Sequence, residues 1–261
     1  QYAFQAYEVS AAANRAVIHK VPATAKMGFD LGAMADYFFA HPEAKIRLIF
    51  IANPNNPTGT YLAKTEVEAF LRRFQDRDDV LIVFDEAYNE FVRAPDYASA
   101  MGRVSDEGNV VVLRTLSKAY GLAGFRVGVM LAPSAVLDIV HRVRKPFNVN
   151  GLAQVAAVAA LQDMEFIEAT RQLTWKGLDY FYSKLREFNL PFVPSEGNFV
   201  LFDSLRDAAL VNEALLRRGI ILRPVGNYGL PRHLRVSAGL EHENRAAMEA
   251  LGAVLAEIPP L

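Results

Sequence analysis

The chain has 261 residues, with 28 lysines and arginines against 29 aspartates and glutamates, and no cysteine. At about 150 residues per domain, this length predicts one large domain or two unequal ones, and a formal net charge of −1 gives no electrostatic reason to expect a nucleic-acid or membrane partner. The absence of cysteine excludes disulfides, a cysteine nucleophile and cysteine-ligated metals, and we predict no metal site.

The start of the chain lacks the usual landmarks of a complete protein. Its first residue is Gln1 rather than methionine, no signal-peptide pattern follows, and the sequence enters aromatic, foldable segments at once. No apolar stretch approaches the ~18–20 residues that a membrane helix needs, and Gly151–Leu161 comes nearest. We therefore expect that a segment preceding Gln1 is missing from this sequence.

Five short apolar runs in the first half of the chain predict strands. Four of them are near-continuous in Val, Ile, Leu and Phe, which is typical of strands buried on both faces of a parallel sheet. Helical patterns lie between them; in residues 64–74 apolar side chains recur at helical spacing, and Thr65 with Glu68 predicts a capping box. This alternation predicts a doubly wound α/β fold with a mostly parallel sheet. The five runs are Ala16–Ile18, Ile46–Ala52, Val80–Phe84, Val110–Leu113 and Val127–Leu131.

The pattern changes in the second half of the chain. Two helical stretches, Gly151–Leu161 and residues 166–188, are followed by Pro191, Pro194 and a series of shorter elements. We predict a large domain over residues 1–185 and a smaller C-terminal α+β domain over residues 186–261. The shorter elements are strands over Asn198–Phe202, Ile220–Arg223 and Leu234–Val236 and helices over Ala208–Arg218 and Glu243–Leu255.

Polar residues follow three consecutive strands of the predicted sheet, and ligands of open α/β sheets bind outside these carboxyl ends. Asp85 follows the run Val80–Phe84 and is suited to pair with a cation, although a helix N-cap is the more ordinary explanation for this residue on its own. Lys118 comes shortly after the run Val110–Leu113. Most lysines are simply solvated, but a partly desolvated amine can lose its proton and form a Schiff base.

Two further groups lie in the same loops. Thr115, Ser117 and Arg126 offer hydroxyls and a guanidinium to a phosphate, near glycines that allow close backbone approach. Asn56 and Tyr88 can hydrogen-bond a ring substituent, although turn chemistry and core-edge packing also account for them singly. Together with the lysine and the aspartate, these groups are the parts that hold pyridoxal 5′-phosphate (PLP).

Longer motifs extend this interpretation to a known family. The segments Asn53–Gly59, Asp85–Tyr88, Ser117–Arg126 and Leu234–Val236 resemble those of fold-type I PLP-dependent aminotransferases. The chain looks most like the histidinol-phosphate aminotransferase family, and the resemblance covers essentially the whole chain. Further matching segments, in the same order, are Tyr2–Tyr7, Lys145–Asn150, Gly197–Phe199 and Ile221–Pro224.

The resemblance implies roles for the cofactor-binding residues. Lys118 would form the Schiff base with PLP and then move the proton between the substrate Cα and the cofactor, while Asp85 would pair with the pyridinium nitrogen. Phe4 would stack on the pyridine ring, a role that competes with that of an ordinary core aromatic. Asn56 and Tyr88 would bond the cofactor's phenolic oxygen, and Thr115, Ser117 and Arg126 would hold its phosphate.

The resemblance also implies the substrates and the assembly. Arg235 would accept the carboxylate of glutamate and the phosphate of histidinol phosphate in turn, with Arg223 and Asn198 as further candidates near the substrate. The implied activity is histidinol-phosphate:2-oxoglutarate transamination in histidine biosynthesis, by a cytoplasmic homodimer whose partners are an amino donor and a 2-oxo acid. The family's segment before the position of Gln1 would add backbone amides to the phosphate site and a tyrosine to the neighbouring subunit.

Three alternatives remain open at the level of sequence. An aromatic amino-acid aminotransferase or an amino-acid-phosphate decarboxylase of the same fold would carry these motifs, because the reaction depends on which Cα bond lies perpendicular to the cofactor ring. A PLP-binding regulatory domain without catalysis would carry them too, with a DNA-binding domain upstream. The aromatic segment Tyr2–Tyr7, which runs straight into the fold, favours an enzyme over such a regulator.

Overall fold

The computed structural model describes residues 1–261 and contains two four-stranded sheets. The first sheet comprises β1 (Leu48–Ala52), β2 (Leu81–Asp85), β3 (Val110–Thr115) and β4 (Gly128–Leu131), in that spatial order. Strands β1, β2 and β3 are parallel, and β4 is antiparallel to β3. The predicted α/β fold with a mostly parallel sheet is therefore confirmed. No helix has both the length and the apolar character needed to span a membrane.

The core of the first sheet explains why these runs form strands. Ile51, Ile82, Phe84 and Val112 are fully buried, beneath helices α2 (Leu31–Ala40) and α3 (Lys64–Arg72). Burial of each such side chain contributes about 1.5–3 kcal/mol relative to exposure. Helix α1 (Gln5–Ala13) precedes this core and contributes Tyr7 to its edge.

Two predicted strands of the first half differ from the structure. Ala16–Ile18 is not a strand: Val17 is 81% exposed, and the backbone of this run joins no ladder. The Ala16 N–H donates to the carbonyl of Ala11 at the end of α1 at 2.9 Å, and without a neighbouring strand the rest of the run stays irregular. β4 forms as predicted, but it is half-exposed and antiparallel, in contrast to the buried parallel strand that its apolar run indicated.

The predicted capping box of α3 is also wrong. The helix begins at Lys64, one residue before the predicted cap, and the carboxylate of Glu66 accepts a hydrogen bond from the Ala63 backbone N–H at 2.8 Å. Glu68 instead forms ion pairs with Lys64 and Arg103. The helix therefore uses the acidic residue that lies two positions earlier in its sequence.

The second half begins with three helices, α4 (Ser134–Val143), α5 (Gly151–Gln162) and α6 (Met164–Glu187). The remaining elements are β5 (Phe192–Val193), β6 (Phe199–Asp203), α7 (Ala208–Leu216), β7 (Arg223–Pro224), β8 (His233–Ser237) and α8 (Glu241–Glu257). The second sheet is antiparallel throughout, in the order β5-β6-β8-β7, and helices α7 and α8 pack against it. The C-terminal half of α6 belongs to the same core from Leu178 onwards, and the division at residues 185 and 186 stays a prediction.

The strand predicted over Ile220–Arg223 is shorter than expected. Only Arg223 and Pro224 pair with β8. The preceding residues close helix α7, because Gly219 adopts a φ of +75° and the Ile220 N–H donates to the carbonyl of Leu215 at 3.0 Å. This is the left-handed glycine termination common at helix ends, and it removes these residues from the sheet.

Specific contacts join the two sheets across the molecule. Arg93 pairs with Asp179 of α6 at 2.8 Å, and the indole of Trp175 donates to the carbonyl of Phe91 at 2.7 Å. Gly59 packs so closely on Ser195 that a Cβ at Gly59 would lie 2.2 Å from the serine Oγ. These contacts fix the second sheet beside the carboxyl ends of the parallel strands.

Candidate active site

A cleft of about 690 Å³ opens between the carboxyl ends of the parallel strands and the second sheet. This volume lies within the range of small-molecule sites, about 300–1,000 Å³. Ten of the eleven predicted site residues line the cleft, and the exception is Asn198. The ten are Phe4, Asn56, Asp85, Tyr88, Thr115, Ser117, Lys118, Arg126, Arg223 and Arg235.

Asp85 is the last residue of β2 and presents its carboxylate to the cleft. Its Oδ2 accepts a hydrogen bond from the Tyr7 hydroxyl at 2.6 Å, and its Oδ1 accepts one from the Ala87 backbone N–H at 3.2 Å. Burial raises the pKa of the Asp85 carboxyl, and these two hydrogen bonds oppose that rise. The carboxylate is thus held in one orientation, with no cation of the protein paired to it.

Lys118 projects into the same cleft from the loop after β3. Its Nζ lies 5.7 Å from the centroid of the Tyr88 ring. Desolvation lowers the pKa of Lys118, and the positive charges of Arg235 and Arg126 lower it further. A lysine amine with a lowered pKa that no carboxylate neutralises is suited to act as a nucleophile and as a base.

Asn56, Tyr88 and Arg235 form one hydrogen-bonded chain. The Arg235 guanidinium donates to Oδ1 of Asn56, and Nδ2 of Asn56 donates to the Tyr88 hydroxyl at 3.4 Å. Burial raises the pKa of Tyr88, and the positive charge of Arg235 opposes the rise. Because Asn56 accepts on one side and donates on the other, the bond from Arg235 fixes which way its amide faces.

Thr115, Ser117 and Arg126 lie together as the predicted anion site requires. Thr115 Oγ1 accepts from the Ser117 backbone N–H at 3.1 Å, and Arg126 Nη1 lies 3.5 Å from Ser117 Oγ. Arg126 adopts a left-handed backbone with a φ of +57°, and its guanidinium also donates to the carbonyl of Ala123 at 2.8 Å. The turn holds the guanidinium beside the Ser117 hydroxyl and leaves other N–H groups for a ligand.

The two candidate substrate arginines lie directly opposite each other. Arg223 of β7 and Arg235 of β8 are register partners in an antiparallel pair. Arg235 is half-buried, its guanidinium lies 4.8 Å from the Phe199 ring centroid, and its buried Nε has no hydrogen-bond partner. Desolvation lowers the pKa of Arg235. Such a pair suits an anion with more than one negative charge.

Asn198 lies outside the lining of the cleft, directly before β6. Its backbone carbonyl accepts a hydrogen bond from the Ala238 N–H at 2.9 Å, which ties β6 to the segment after β8. The structure therefore does not bring it together with the other candidates, and its role as a substrate contact stays a prediction.

Several residues in and beneath the cleft are not among the predicted site residues. Tyr7 donates to Asp85, and Tyr228 accepts from the Gln5 backbone N–H at 3.3 Å, which joins α1 to the second sheet. Arg114 bonds the fully buried Glu86 at 2.8 Å and Glu90 at 2.9 Å beneath the cleft. The partner of Tyr7 lies 78 residues away, so no local spacing could reveal this contact.

The fold and the cleft define an α/β protein in which a lysine amine, a carboxylate and several arginines surround a space suited to a small anionic molecule. The model of aminotransferase class I and II matches residues 1–251. This chain belongs to the class I and II aminotransferase family, and its fold is the fold type I of PLP-dependent transferases.

Named relatives and a solved structure agree with this placement. A histidinol-phosphate aminotransferase of Bdellovibrio bacteriovorus is 68% identical over 259 residues, which are 99% of this chain and 70% of that protein. The histidinol-phosphate aminotransferase of Symbiobacterium thermophilum is 47% identical, over 97% of this chain and 68% of that protein. The crystal structure of histidinol-phosphate aminotransferase from Sinorhizobium meliloti in complex with pyridoxal-5′-phosphate superposes with a TM-score of 0.89, at 27% identity, over 98% of this chain and 69% of that one.

Proposed function

We propose that this chain is a PLP-dependent aminotransferase that transfers an amino group between histidinol phosphate and 2-oxoglutarate. One observation carries the proposal: the unpaired amine of Lys118 shares a cleft with the unpaired carboxylate of Asp85 and with two facing arginines. The name of the relative that is 68% identical supports the choice of substrate.

The donor set of the cleft fits PLP. The cofactor presents an aldehyde, a pyridine nitrogen, a phenolic oxygen and a phosphate, and the chain offers Lys118, Asp85, the Asn56–Tyr88 pair and the group of Thr115, Ser117 and Arg126. Phe4, which is 39% exposed within the cleft, supplies an aromatic surface for the ring. When bound, PLP supplies an electron sink that stabilises negative charge at the substrate Cα.

Asp85 and Lys118 have different proposed roles, each of which concerns a proton. Asp85 would hold the pyridine nitrogen in its protonated state, because a buried carboxylate without another cation favours a positively charged partner. Lys118 would remove and return the proton at the substrate Cα, a task that requires an amine that is neutral in part of the population. Desolvation and the two neighbouring arginines favour that neutral amine.

The paired arginines account for substrate choice. A phosphate monoester carries close to two negative charges near neutral pH, and a guanidinium fork binds phosphate or carboxylate oxygens bidentately. Arg235 would make this bond in both half-reactions, and Arg223 would add the second positive charge for the phosphate. An aromatic amino acid offers no second anion to this pair, so the arginines favour a phosphorylated substrate.

Single-turnover spectroscopy tests the proposal. The chain loaded with PLP is mixed with histidinol phosphate, with phenylalanine or with threonine phosphate, and the cofactor absorption and the products are followed. We expect conversion of the cofactor to its amine form with histidinol phosphate. Faster conversion with phenylalanine would favour an aromatic aminotransferase, and carbon dioxide release would favour a decarboxylase. Binding of PLP without any conversion would favour a regulatory domain.

Dimerisation is the second part of the proposal, and exposed apolar side chains support it. Along α5 the side chains of Leu152, Val155, Val158 and Leu161 are each at least half exposed, and Phe147 just before the helix is 98% exposed. Contiguous apolar surface of this kind marks a protein interface. We propose a second copy of the chain as the partner, with a cytoplasmic location. Light scattering of the wild type and of a Val155→Glu variant tests the dimer, and cell fractionation tests the location.

A further inference from the structure

Tyr7 occupies a position that the proposed catalytic roles leave unexplained. It lies in the first turn of α1, three residues after Phe4, and its hydroxyl donates to Asp85 Oδ2 at 2.6 Å. Its ring stacks on Phe50 of β1 with centroids 4.8 Å apart and planes 18° apart. The ring of Phe4 meets it edge-on at 5.8 Å. The side chain is therefore held by packing and by one strong hydrogen bond.

We propose that Tyr7 is a positioning residue that keeps Asp85 ionised and correctly oriented for the pyridine nitrogen of the cofactor. The inference rests on the proposed function, because it assigns a purpose to the Asp85 carboxylate. The inference adds Tyr7 to that site as a residue that acts only through Asp85 and contacts neither the substrate nor the reacting atoms.

The chemistry of the two groups supports this role. Burial makes the ionised form of Asp85 costly, and a donor on Oδ2 recovers part of that cost. A lysine or arginine in place of Tyr7 would neutralise the carboxylate and compete with a protonated pyridine. A phenol donates without adding charge. Burial and the Asp85 charge also raise the pKa of Tyr7, so it stays a neutral donor across the working pH range.

Among the ionisable side chains around the cleft, Tyr7 alone forms a hydrogen bond with the Asp85 carboxylate. Only the Tyr7 hydroxyl and the Ala87 backbone N–H bond the carboxylate. The remaining ionisable groups around the cleft make no hydrogen bond to it. They are Tyr88 from the following loop, Arg114 from β3, Lys118 and Arg126 from the next loop, and Arg223, Tyr228 and Arg235 from the second sheet.

Helix α1 links this function to the aromatic platform of the cleft. Phe4 and Tyr7 are three residues apart, so one helical turn presents the ring surface and the partner of Asp85 together. The stacking on Phe50 then fixes this turn against β1, the strand next to Asp85 in the sheet. A displacement of α1 would change both contacts at once.

The test compares Tyr7→Phe with the wild type in the full chain. Phenylalanine keeps the ring that stacks on Phe50 and removes only the hydroxyl. Tyr61→Phe is the matched control, because Tyr61 donates to Asp96 at 2.8 Å at an exposed position outside the cleft. Thermal unfolding of each variant verifies that the fold is retained.

The first readout is the Asp85 pKa in the cofactor-free chain, from carboxyl ¹³C NMR with the resonance assigned by its loss in Asp85→Asn. We expect Tyr7→Phe to raise this pKa by about one unit, the effect of one hydrogen bond to a charged group. Tyr61→Phe should leave the titration of Asp85 unchanged. An Asp85 pKa that is the same in Tyr7→Phe and the wild type would overturn the inference.

The second readout is PLP affinity as a function of pH. In Tyr7→Phe we expect the acid limb to move to higher pH, with about a tenfold loss of affinity on that limb. The loss should vanish in the Asp85→Asn background, where no carboxylate remains to be stabilised. An equal loss in both backgrounds would mean that Tyr7 acts through packing and would overturn the inference. A wild-type chain that binds no PLP would count against the proposed function, whereas the NMR titration would still decide the coupling of Tyr7 to Asp85.

Discussion

Replacing Arg235 with glutamine separates anion recognition from the rest of the site. Glutamine keeps a neutral N–H donor, but its amide ends near the position of the arginine Nε and stops short of Asn56, so Asn56 retains only its bond to Tyr88. The substitution removes the positively charged guanidinium, which is directly opposite Arg223 in the antiparallel pair of β7 and β8. The variant should therefore fold and bind PLP, and it should fail mainly with anionic substrates.

The size of the loss follows from the bonds removed. A charge-assisted hydrogen bond contributes about 1.5–3 kcal/mol, and a fork provides two of them, of which the amide replaces one in weaker form. A net loss of about 3 kcal/mol lowers kcat/KM for histidinol phosphate roughly 100-fold. Arg223 is exposed, so Arg223→Gln should cost only about fivefold through the screened second charge.

The assay measures kcat/KM for histidinol phosphate and for histidinol, which lacks the phosphate, at constant ionic strength. We expect Arg235→Gln to lower the first value about 100-fold and to change the second by much less. Equal losses for both substrates would refute the assignment of Arg235 as the anion-binding residue. A thermal unfolding curve and a PLP titration of the variant show whether the site itself is intact.

Three further predictions concern the lysine and the contact between the sheets. In Lys118→Ala we expect no PLP adduct after borohydride reduction; a labelled peptide from another lysine would refute the assignment. Because the folded-state pKa of Lys118 is lowered, the pH dependence of its reaction with trinitrobenzenesulfonate should have a midpoint below pH 10.5. In Arg235→Gln this midpoint should rise, since one of the two positive charges near the amine is removed. The contribution of Lys118 to the free energy of unfolding should increase as the pH rises from the folded-state pKa to 10.5, because only the unfolded chain still carries the proton in that range. Gly59→Ala should lower the free energy of unfolding by about 2 kcal/mol or more, because the residue has a φ of +79° and a Cβ there would collide with the side chain of Ser195. Gly219→Ala is the matched control, since Gly219 has a similar φ of +75° and no atom within 4 Å of the added Cβ. Chemical denaturation of the two variants should show the larger loss of stability for Gly59→Ala.

Much of the fold could be predicted because its signals are local. The apolar runs before Asn53, Asp85 and Arg114 coincide with β1, β2 and β3, since a strand covered on both faces must be apolar at every position. Ala16–Ile18 shows the limit of this rule. An apolar run becomes a strand only where another strand pairs with it, and the sequence does not state which segments will be neighbours.

The site was predictable to the extent that its residues follow strand ends. Asn56, Asp85 and Lys118 converge because parallel strands bring their carboxyl ends to one edge. Contacts between distant segments cannot be predicted from the sequence. The hydrogen bond from Tyr7 to Asp85 joins residues 78 positions apart, and the bond from Arg235 to Asn56 joins residues 179 positions apart. Both bonds depend on how α1 and the second sheet pack against the first sheet. Only the motif Gly197–Phe199 marks Asn198 as a candidate substrate contact, whereas in the structure its backbone connects two strands outside the cleft.

The opposed arginines lie on strands of very different character. Arg235 belongs to β8, which is paired on both sides, whereas Arg223 belongs to the two-residue edge strand β7. Every residue proposed to bind the cofactor lies before position 127, either at the start of α1 or on the first sheet and its loops. Substitutions around Arg223 should therefore alter the choice of substrate at little cost to the core, and they would leave the cofactor-binding residues in place.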